Sequence, residues 1–225
     1  MRFKIACLVA LISTFAVSAQ DDAENKDKLS YAVGYQIGAD FKYRSLDLDM
    51  ETVIEALRDA VNDSEPRVPA EEMAVLLRNM QEKMQAEQLE KFRQLAEENK
   101  AKSEEFLAQN QSKKGIVVLP SGVQYRVIED GEGPRPTLDS EVTVHYRSST
   151  MSGLEFDSSF ARGQPVNFTV GQVIKGWQEV LPLMKTGATW QVFVPPELGY
   201  GVRGQRPVGP NEALVFDLNL VEVKS

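Results

Sequence analysis

Cysteine is all but missing from this chain of 225 residues: Cys7 is the only one. Beyond that position neither a disulfide nor thiol chemistry is available, and oxidising compartments permit disulfides without requiring them. Histidine is equally scarce, with His145 alone. A single histidine excludes a histidine-rich metal site and argues against a Ser-His-Asp triad. The absence of G-x-S-x-G removes the remaining case for a serine hydrolase. Basic charge is short as well, 25 Lys and Arg against 33 Asp and Glu for a net charge of −8. Such a chain gains nothing from counterion release on nucleic acid, and no basic stripe is evident. No apolar run reaches the roughly 20 residues that cross a membrane. Neither a metal nor a cofactor is expected.

The N-terminus carries an address. Arg2 and Lys4 form a positive start, residues 5–17 an apolar stretch, and Val17-Ser18-Ala19 a small-residue cleavage site, so residues 1–19 read as a secretory signal peptide. A lipoprotein needs its cysteine just after the apolar stretch, whereas Cys7 lies near its beginning, so lipidation is not expected. The chain is expected to be exported, to the periplasm first, with the outer-membrane surface or the medium as alternatives.

Composition then shifts once along the chain. Residues 28–111 are rich in Glu, Lys, Gln, Ala, Leu and Met, with proline only at Pro66 and Pro69. From Gly115 onward Val, Thr, Gly, Pro and aromatics dominate, as in strands and turns. Leu29, Val33, Ile37 and Phe41 recur at every fourth position, an amphipathic helical stripe. Gly34 and Gly38 lie beside it, either a close-approach surface for a second helix or a coincidence of spacing. A second helix is predicted over 50–62, with Val53, Ile54, Leu57 and Val61 apolar. Pro69 suits the first turn of a third. Nothing breaks a helix over 69–111, a length of roughly 60 Å at 1.5 Å per residue. Met73, Leu76, Leu77, Met80 and Met84 mark an apolar face near its start, either core or contact surface. After Leu95 the sequence E-E-N-K-A-K-S-E-E reads as a solvated connecting rod, braced by i,i+4 pairs such as Glu98–Lys102. Strands are predicted over 116–119, 123–128, 141–146, 189–194 and 214–223, with one short helix over 175–184.

The C-terminal part holds an unusual set of side chains: Tyr146, Phe156-Asp157, Phe168, Val173-Ile174, Trp177, Tyr200 and Phe216. A cluster so rich in aromatics, and so poor in nucleophiles, bases and metal ligands, suits gripping an apolar group and changing its conformation. The motifs that carry these residues, V-T-V-H-Y, F-D-S-S, V-N-F, V-I-K-G-W, G-Y-G and L-V-F-D, come in the order found in the FKBP-type peptidyl-prolyl cis–trans isomerases, which residues 115–225 resemble. D-K-L-S-Y-A-V-G-Y-Q-I-G, E-E-N-K-A-K-S-E-E-F-L-A-Q-N and G-I-V-V-L-P-S-G-V-Q-Y resemble the macrophage infectivity potentiator (Mip) branch of that family. The resemblance implies an α+β protein: a helical dimerisation domain over 20–95, a connecting stretch of the long helix over 96–114, and an isomerase domain over 115–225. In that last domain an antiparallel sheet wraps around a short helix.

Site roles follow from the same resemblance. Trp177 would floor a pocket for the proline ring, the alternative being a core tryptophan that plugs the sheet. Tyr146, Phe156, Phe168, Val173, Ile174 and Phe216 would form its walls, with Val208 in an overhanging loop of residues 202–210. Tyr200 would donate a hydrogen bond to a substrate carbonyl, or else merely pack its loop. Asp157, bonded to the Tyr146 hydroxyl and paired with Arg162, would orient the rotating carbonyl; a turn-forming Asp is the alternative. His145 neighbours Tyr146 on an alternating strand and so belongs to the other face. Val166 stands where the family often has an aromatic wall, and Arg147-Ser148 replaces its usual Thr-Gly. Expected partners are proline-containing unfolded or partly folded polypeptides, a second copy of the chain, and the macrolides FK506 and rapamycin. A peptide-binding holdase or a surface virulence factor with little catalysis is the competing reading.

Overall fold

A computed structural model of the protein describes residues 13–224, and side chains from residue 24 onward. Most of the expected signal segment, including Arg2, Lys4 and Cys7, therefore lies outside the described residues. The chain divides into two compact units, between Met84 and Gln85.

The first unit is helical. It contains α1 (Ser13–Tyr43), α2 (Met50–Val61) and the beginning of α3 (Ala70–Gln111). The side chain of Asp49 starts α2 by accepting from the Thr52 amide at 2.7 Å, satisfying one of the orphan donors of a first turn. Arg67 then braces the connection to α3, bonding Glu55 at 2.7 Å and approaching Asp59 at 3.3 Å. Among the described residues up to Met84 no side chain is buried. Met73, Met80 and Met84 are half-buried, whereas Leu76 and Leu77 are exposed, as are Leu29, Val33, Ile54 and Leu57. The predicted apolar stripes exist, and most of their area faces away from any neighbour.

The second unit contains the remainder of α3 and a seven-stranded antiparallel sheet in the order β1-β2-β6-β7-β3-β4, with β5 also paired to β3. The strands are β1 (Val117–Val118), β2 (Gln124–Glu129), β3 (Glu141–Thr150), β4 (Glu155–Ser158), β5 (Val166–Thr169), β6 (Thr189–Val194) and β7 (Leu214–Lys224). The short helix α4 (Lys175–Val180) continues into a 3-10 turn, Leu181–Leu183. Strict alternation along β7 buries Leu214, Phe216, Leu218 and Leu220 on one face, as the period of two demands. Val142, Val144 and Tyr146 of β3 and Trp190, Val192 and Val194 of β6 share that face. Trp190 packs there by stacking on Tyr125, centroids 4.3 Å apart. Helix α4 closes the core, burying Trp177 and Val180. Its approach depends on Gly176, since a Cβ there would meet Val194 Cγ1 at 2.5 Å.

The expectation of a solvated rod after Leu95 needs correction. Ala96, Asn99, Ser103 and Asn110 are buried, and they recur at a spacing that puts them on one helical face. Phe106 meets Phe193 at 6.1 Å on the outer side of the sheet, and Asn110 donates to the buried Gln124 side chain at 2.9 Å. The fully buried positions of this face are small or polar and are held by hydrogen bonds, while its apolar contribution is confined to the half-buried Phe106 and Leu107. Residues 97, 98, 100–102, 104 and 105 are exposed, including the predicted Glu98–Lys102 pair at 2.5 Å.

Candidate active site

The alternation of β3 sends Tyr146 and Ser148 to the covered face and His145 and Arg147 to the other. On the covered face Trp177 is the centre. Its indole stands edge-on to Tyr146 at 5.4 Å, Phe168 at 5.7 Å and Phe216 at 5.3 Å, with interplanar angles of 75°, 88° and 83°. This is the geometry that aromatic quadrupoles favour, worth about 0.5–1.5 kcal/mol per pair beyond burial. Trp177 is 4% exposed, and its indole N–H makes no hydrogen bond among the described residues.

Val173 and Ile174 arrive on the turn that enters α4. Gln178 braces this turn by donating to the carbonyls of Val173 at 2.7 Å and Gly171 at 3.0 Å. Tyr200 comes from the turn after β6 and sets its ring across that of Phe156 at 6.3 Å. Its hydroxyl has no hydrogen-bond partner among the described residues. Together these elements enclose a cavity of about 270 Å³ lined by Tyr146, Ser148, Asp157, Phe168, Gln172, Val173, Ile174, Trp177, Tyr200 and Phe216.

One charged constellation sits at its edge. The Tyr146 hydroxyl donates to Asp157 Oδ2 at 2.6 Å and accepts from Arg162 Nη2 at 2.8 Å, while Arg162 Nη1 bonds Asp157 Oδ1. The Arg162 guanidinium also lies 5.5 Å from the centre of the Tyr146 ring. Partial burial works against ionisation of Asp157, but the bonds from Tyr146 and Arg162 and the charge of Arg162 outweigh it, so the carboxyl is held below its usual range. Burial, then the bond to Asp157, pushes the Tyr146 phenol up. Burial, then the nearby Asp157 charge, does the same to Tyr200. At neutral pH the edge therefore presents a carboxylate and two neutral phenols.

Eight of the expected site residues line the cavity. Phe156 packs behind it against Tyr200, Arg162 reaches it only through Asp157 and Tyr146, and Val208 is buried in the adjoining core at 4% exposure. Ser148 and Gln172 were not anticipated. Ser148 was legible, since it lies two residues beyond Tyr146 on an alternating strand; Gln172, at a turn, had no such signal. His145 lies away from the cavity, stacked on Phe160 at 4.6 Å with Nδ1 3.0 Å from Ser159 Oγ. A larger hollow of about 650 Å³ is lined in part by Arg147, Phe160 and Asp217. Arg147 and Asp217 pair across β3 and β7 on the outer face at 2.5 Å, so the two charges neutralise each other. The aromatic cavity is the better candidate on chemistry, though not on size.

Bond-breaking chemistry needs an activated nucleophile or a base poised near neutrality; of the lining residues, Ser148 has no base bonded to its hydroxyl among the described residues and the Asp157 carboxyl is held below its usual range. What the cavity suits is gripping an apolar group and turning it about a bond, with no bond lost. Comparison with known proteins agrees. Residues 26–127 match the domain amino terminal to FKBP-type peptidyl-prolyl isomerase, and residues 133–221 match the FKBP-type peptidyl-prolyl cis-trans isomerase domain itself. The outer membrane protein MIP of Legionella longbeachae is 40% identical over 228 residues, covering 100% of this chain and 98% of that protein. The peptidyl-prolyl cis-trans isomerase Mip of Coxiella burnetii is 41% identical over 215 residues, covering 95% and 94%. The crystal structure of FkpA from Escherichia coli superposes with a TM-score of 0.75 at 31% identity, covering 91% of this chain and 97% of that one. The chain belongs to the FKBP-type peptidyl-prolyl cis–trans isomerases, in the Mip-like branch with a helical N-terminal domain, and its enzymatic activity is prolyl isomerisation.

The barrier to be lowered is that of an X-Pro amide, about 18–20 kcal/mol, which leaves spontaneous rotation at tens to hundreds of seconds. The planar amide is stabilised by charge-separating resonance that water favours, and the twisted transition state has lost much of it. An apolar cavity that strips water from the amide thus disfavours the ground state more than the transition state.

Proposed function

We propose that Trp177 floors the proline site, that Tyr146, Phe168, Val173, Ile174 and Phe216 wall it, and that Tyr200 donates its free hydroxyl to a substrate carbonyl. Asp157, oriented by Tyr146 and Arg162, faces the carbonyl that rotates, while Phe156 and Val208 support the walls. The observation that carries this assignment is the Tyr146–Asp157–Arg162 constellation at the edge of a cavity whose floor is an edge-on tryptophan. A carboxylate kept ionised there repels the carbonyl oxygen's partial negative charge in the planar state and eases its rotation out of plane. The pocket's chemistry also fits the macrolides FK506 and rapamycin, which would compete with substrate.

The clients are exported polypeptides whose folding waits on proline isomerisation, a slow step for any chain. Export is supported by the sequence of residues 1–19 and by relatives that include a named outer membrane protein, with the periplasm as the working compartment. The helical domain over 20–95 serves as a dimerisation domain. Its support is the apolar area left open: Leu29, Val33, Ile54, Leu57, Leu76 and Leu77 are each between 38% and 66% exposed, too much for a stable solitary unit. The isomerase domain occupies 115–225, linked through residues 96–114. Two pockets in one dimer raise avidity for a flexible client without new contacts, which gives a holding function beside catalysis.

The test is turnover of a chromogenic X-Pro peptide by wild type and Asp157→Ala, with and without rapamycin. Fast turnover that rapamycin blocks, and that drops in the variant, supports the assignment. Wild-type turnover that Asp157→Ala leaves unchanged removes the carboxylate from the mechanism. A folded wild-type protein without turnover makes it a peptide-binding holdase.

A further inference from the structure

The stretch of α3 beyond Gln85 belongs to the same compact unit as the sheet. Four hydrogen bonds tie its buried face to one loop segment. Asn211 Nδ2 donates to the Ala96 carbonyl at 3.2 Å, and Asn99 Nδ2 donates to the Pro210 carbonyl at 2.9 Å. Ser103 Oγ donates to the Asn211 carbonyl at 2.9 Å and accepts from the Ala213 amide at 2.8 Å. Asn99 is 8% and Ser103 1% exposed, so water does not stand in easily for either. The fit is close: a Cβ on Gly209 would lie 2.7 Å from Asn99 Nδ2.

The same segment reaches the active site. The Asn211 amide donates to the Gly201 carbonyl at 3.0 Å, and Asn211 holds a left-handed conformation, φ 52°, that its side-chain bond to α3 helps to fix. Gly201 follows Tyr200 directly. Between them the loop is closed on itself, with Gln205 and Val208 exchanging backbone bonds at 3.0 and 2.8 Å. A continuous chain of bonds thus runs from Ala96, Asn99 and Ser103 through Asn211 to the backbone that presents Tyr200.

We infer that α3 is part of the catalytic apparatus: Ser103 and Asn99 are positioning residues that set where the Tyr200 hydroxyl meets the substrate. Neither touches the cavity. Removing either partner leaves a buried backbone group unsatisfied and lets residues 208–213 drift, and Tyr200 moves with them. The inference rests on the role proposed above for Tyr200, and the experiment separates the two.

Ser103→Ala and Asn99→Ala are made in the full chain, each alone and combined with Tyr200→Phe, with Glu104→Ala on the exposed face as the control. Turnover of an X-Pro peptide is measured at a temperature where unfolding curves show every variant folded. The expected result is a fall in kcat/KM of about three- to tenfold for both single variants, no change for Glu104→Ala, and no further fall when either is added to Tyr200→Phe, because coupled residues are not additive. A purely structural role would lower the unfolding midpoint equally in both backgrounds and leave turnover of the folded protein intact. Should Ser103→Ala not fold, Asn99→Ala, which spares both Ser103 bonds, carries the test. Folded single variants with wild-type turnover overturn the inference, as does a loss that persists in full beside Tyr200→Phe. Full activity of Tyr200→Phe alone sinks the tyrosine's role and takes the linkage with it; impaired Tyr200→Phe with silent Ser103→Ala and Asn99→Ala sinks the linkage only.

Discussion

Because rotation in a desolvating pocket moves no proton, turnover should be nearly independent of pH across the range in which acid–base enzymes vary. Asp157 is held below its ordinary range, so an ordinary aspartate with pKa near 3.9 gives an upper bound: at pH 5.5 less than about 3% is protonated. Tyr146 and Tyr200 are pushed above their ordinary value near 10, so at pH 9 less than about 10% of either is ionised. Histidine is the side chain that normally titrates between these limits. His145, the only one, is stacked on Phe160 on the opposite face of β3 from Tyr146. From about pH 5.5 to 9, kcat/KM should therefore vary by less than about 1.3-fold. A direct absorbance assay on an X-Pro peptide, without a coupled protease whose own pH profile would intrude, reads this after subtraction of the uncatalysed rate. A bell or sigmoid with a midpoint near 6–8 and an amplitude above about threefold would refute the reasoning. It would mean that a group titrating near neutrality takes part in the slow step.

Trp177→Leu keeps an apolar floor but removes three edge-on contacts; stability should fall by about 2–4 kcal/mol in urea and turnover by more than about tenfold, and near-normal turnover would show that the indole is packing alone. Tyr146→Phe removes the hydroxyl that links Asp157 and Arg162. Those side chains are 40% and 44% exposed, so water replaces much of what is lost and stability should drop by less than about 1 kcal/mol. The Asp157 pKa should still rise toward its ordinary value, as read by NMR titration of the carboxyl carbon. Asp157 also predicts an acid-stability slope: its folded pKa is depressed, so its contribution is present above the unfolded value and is lost as pH falls through the folded one. Asp157→Asn should flatten the decline in unfolding midpoint below about pH 4, and an unchanged slope would assign that decline to other carboxylates.

Elements with a strong period were legible in the sequence. The expected helices over 50–62 and 69–111 form as α2 and α3, and the alternation of residues 214–223 becomes β7. Strands β4 and β5 were missed because each has only four residues, too few for a period to show. The docked face of α3 was missed for a different reason. Ala96, Asn99, Ser103 and Asn110 are small or polar, and periodicity finds buried faces by their apolar residues. Their partners are backbone groups of Pro210, Asn211 and Ala213 and the side chains of Asn211 and Gln124, which only the fold brings near. In the candidate site the aromatic residues announced themselves by type. Ser148 was marked only by its place two residues beyond Tyr146 on an alternating strand, and Gln172, at a turn, by nothing at all.

Strand β7 has a consequence for how the enzyme comes into being. It is flanked by β6 and β3, pairing Leu214 with Val194 and Thr150, and Leu218 with Trp190 and Tyr146. It lies after every strand it joins. Until it inserts, β3 and β6 are two open edges of a split sheet, Phe216 is absent from the pocket, and the apolar residues of both halves are bare. A nascent chain short of residue 214 thus lacks Phe216 in its cavity and has two open edges. Closing the sheet joins segments some seventy residues apart in the chain, so the pairing that completes it is among the least local in the domain. Ribosome-stalled chains ending before and after β7 should differ sharply in protease resistance; early resistance would mean that the first six strands hold together without it.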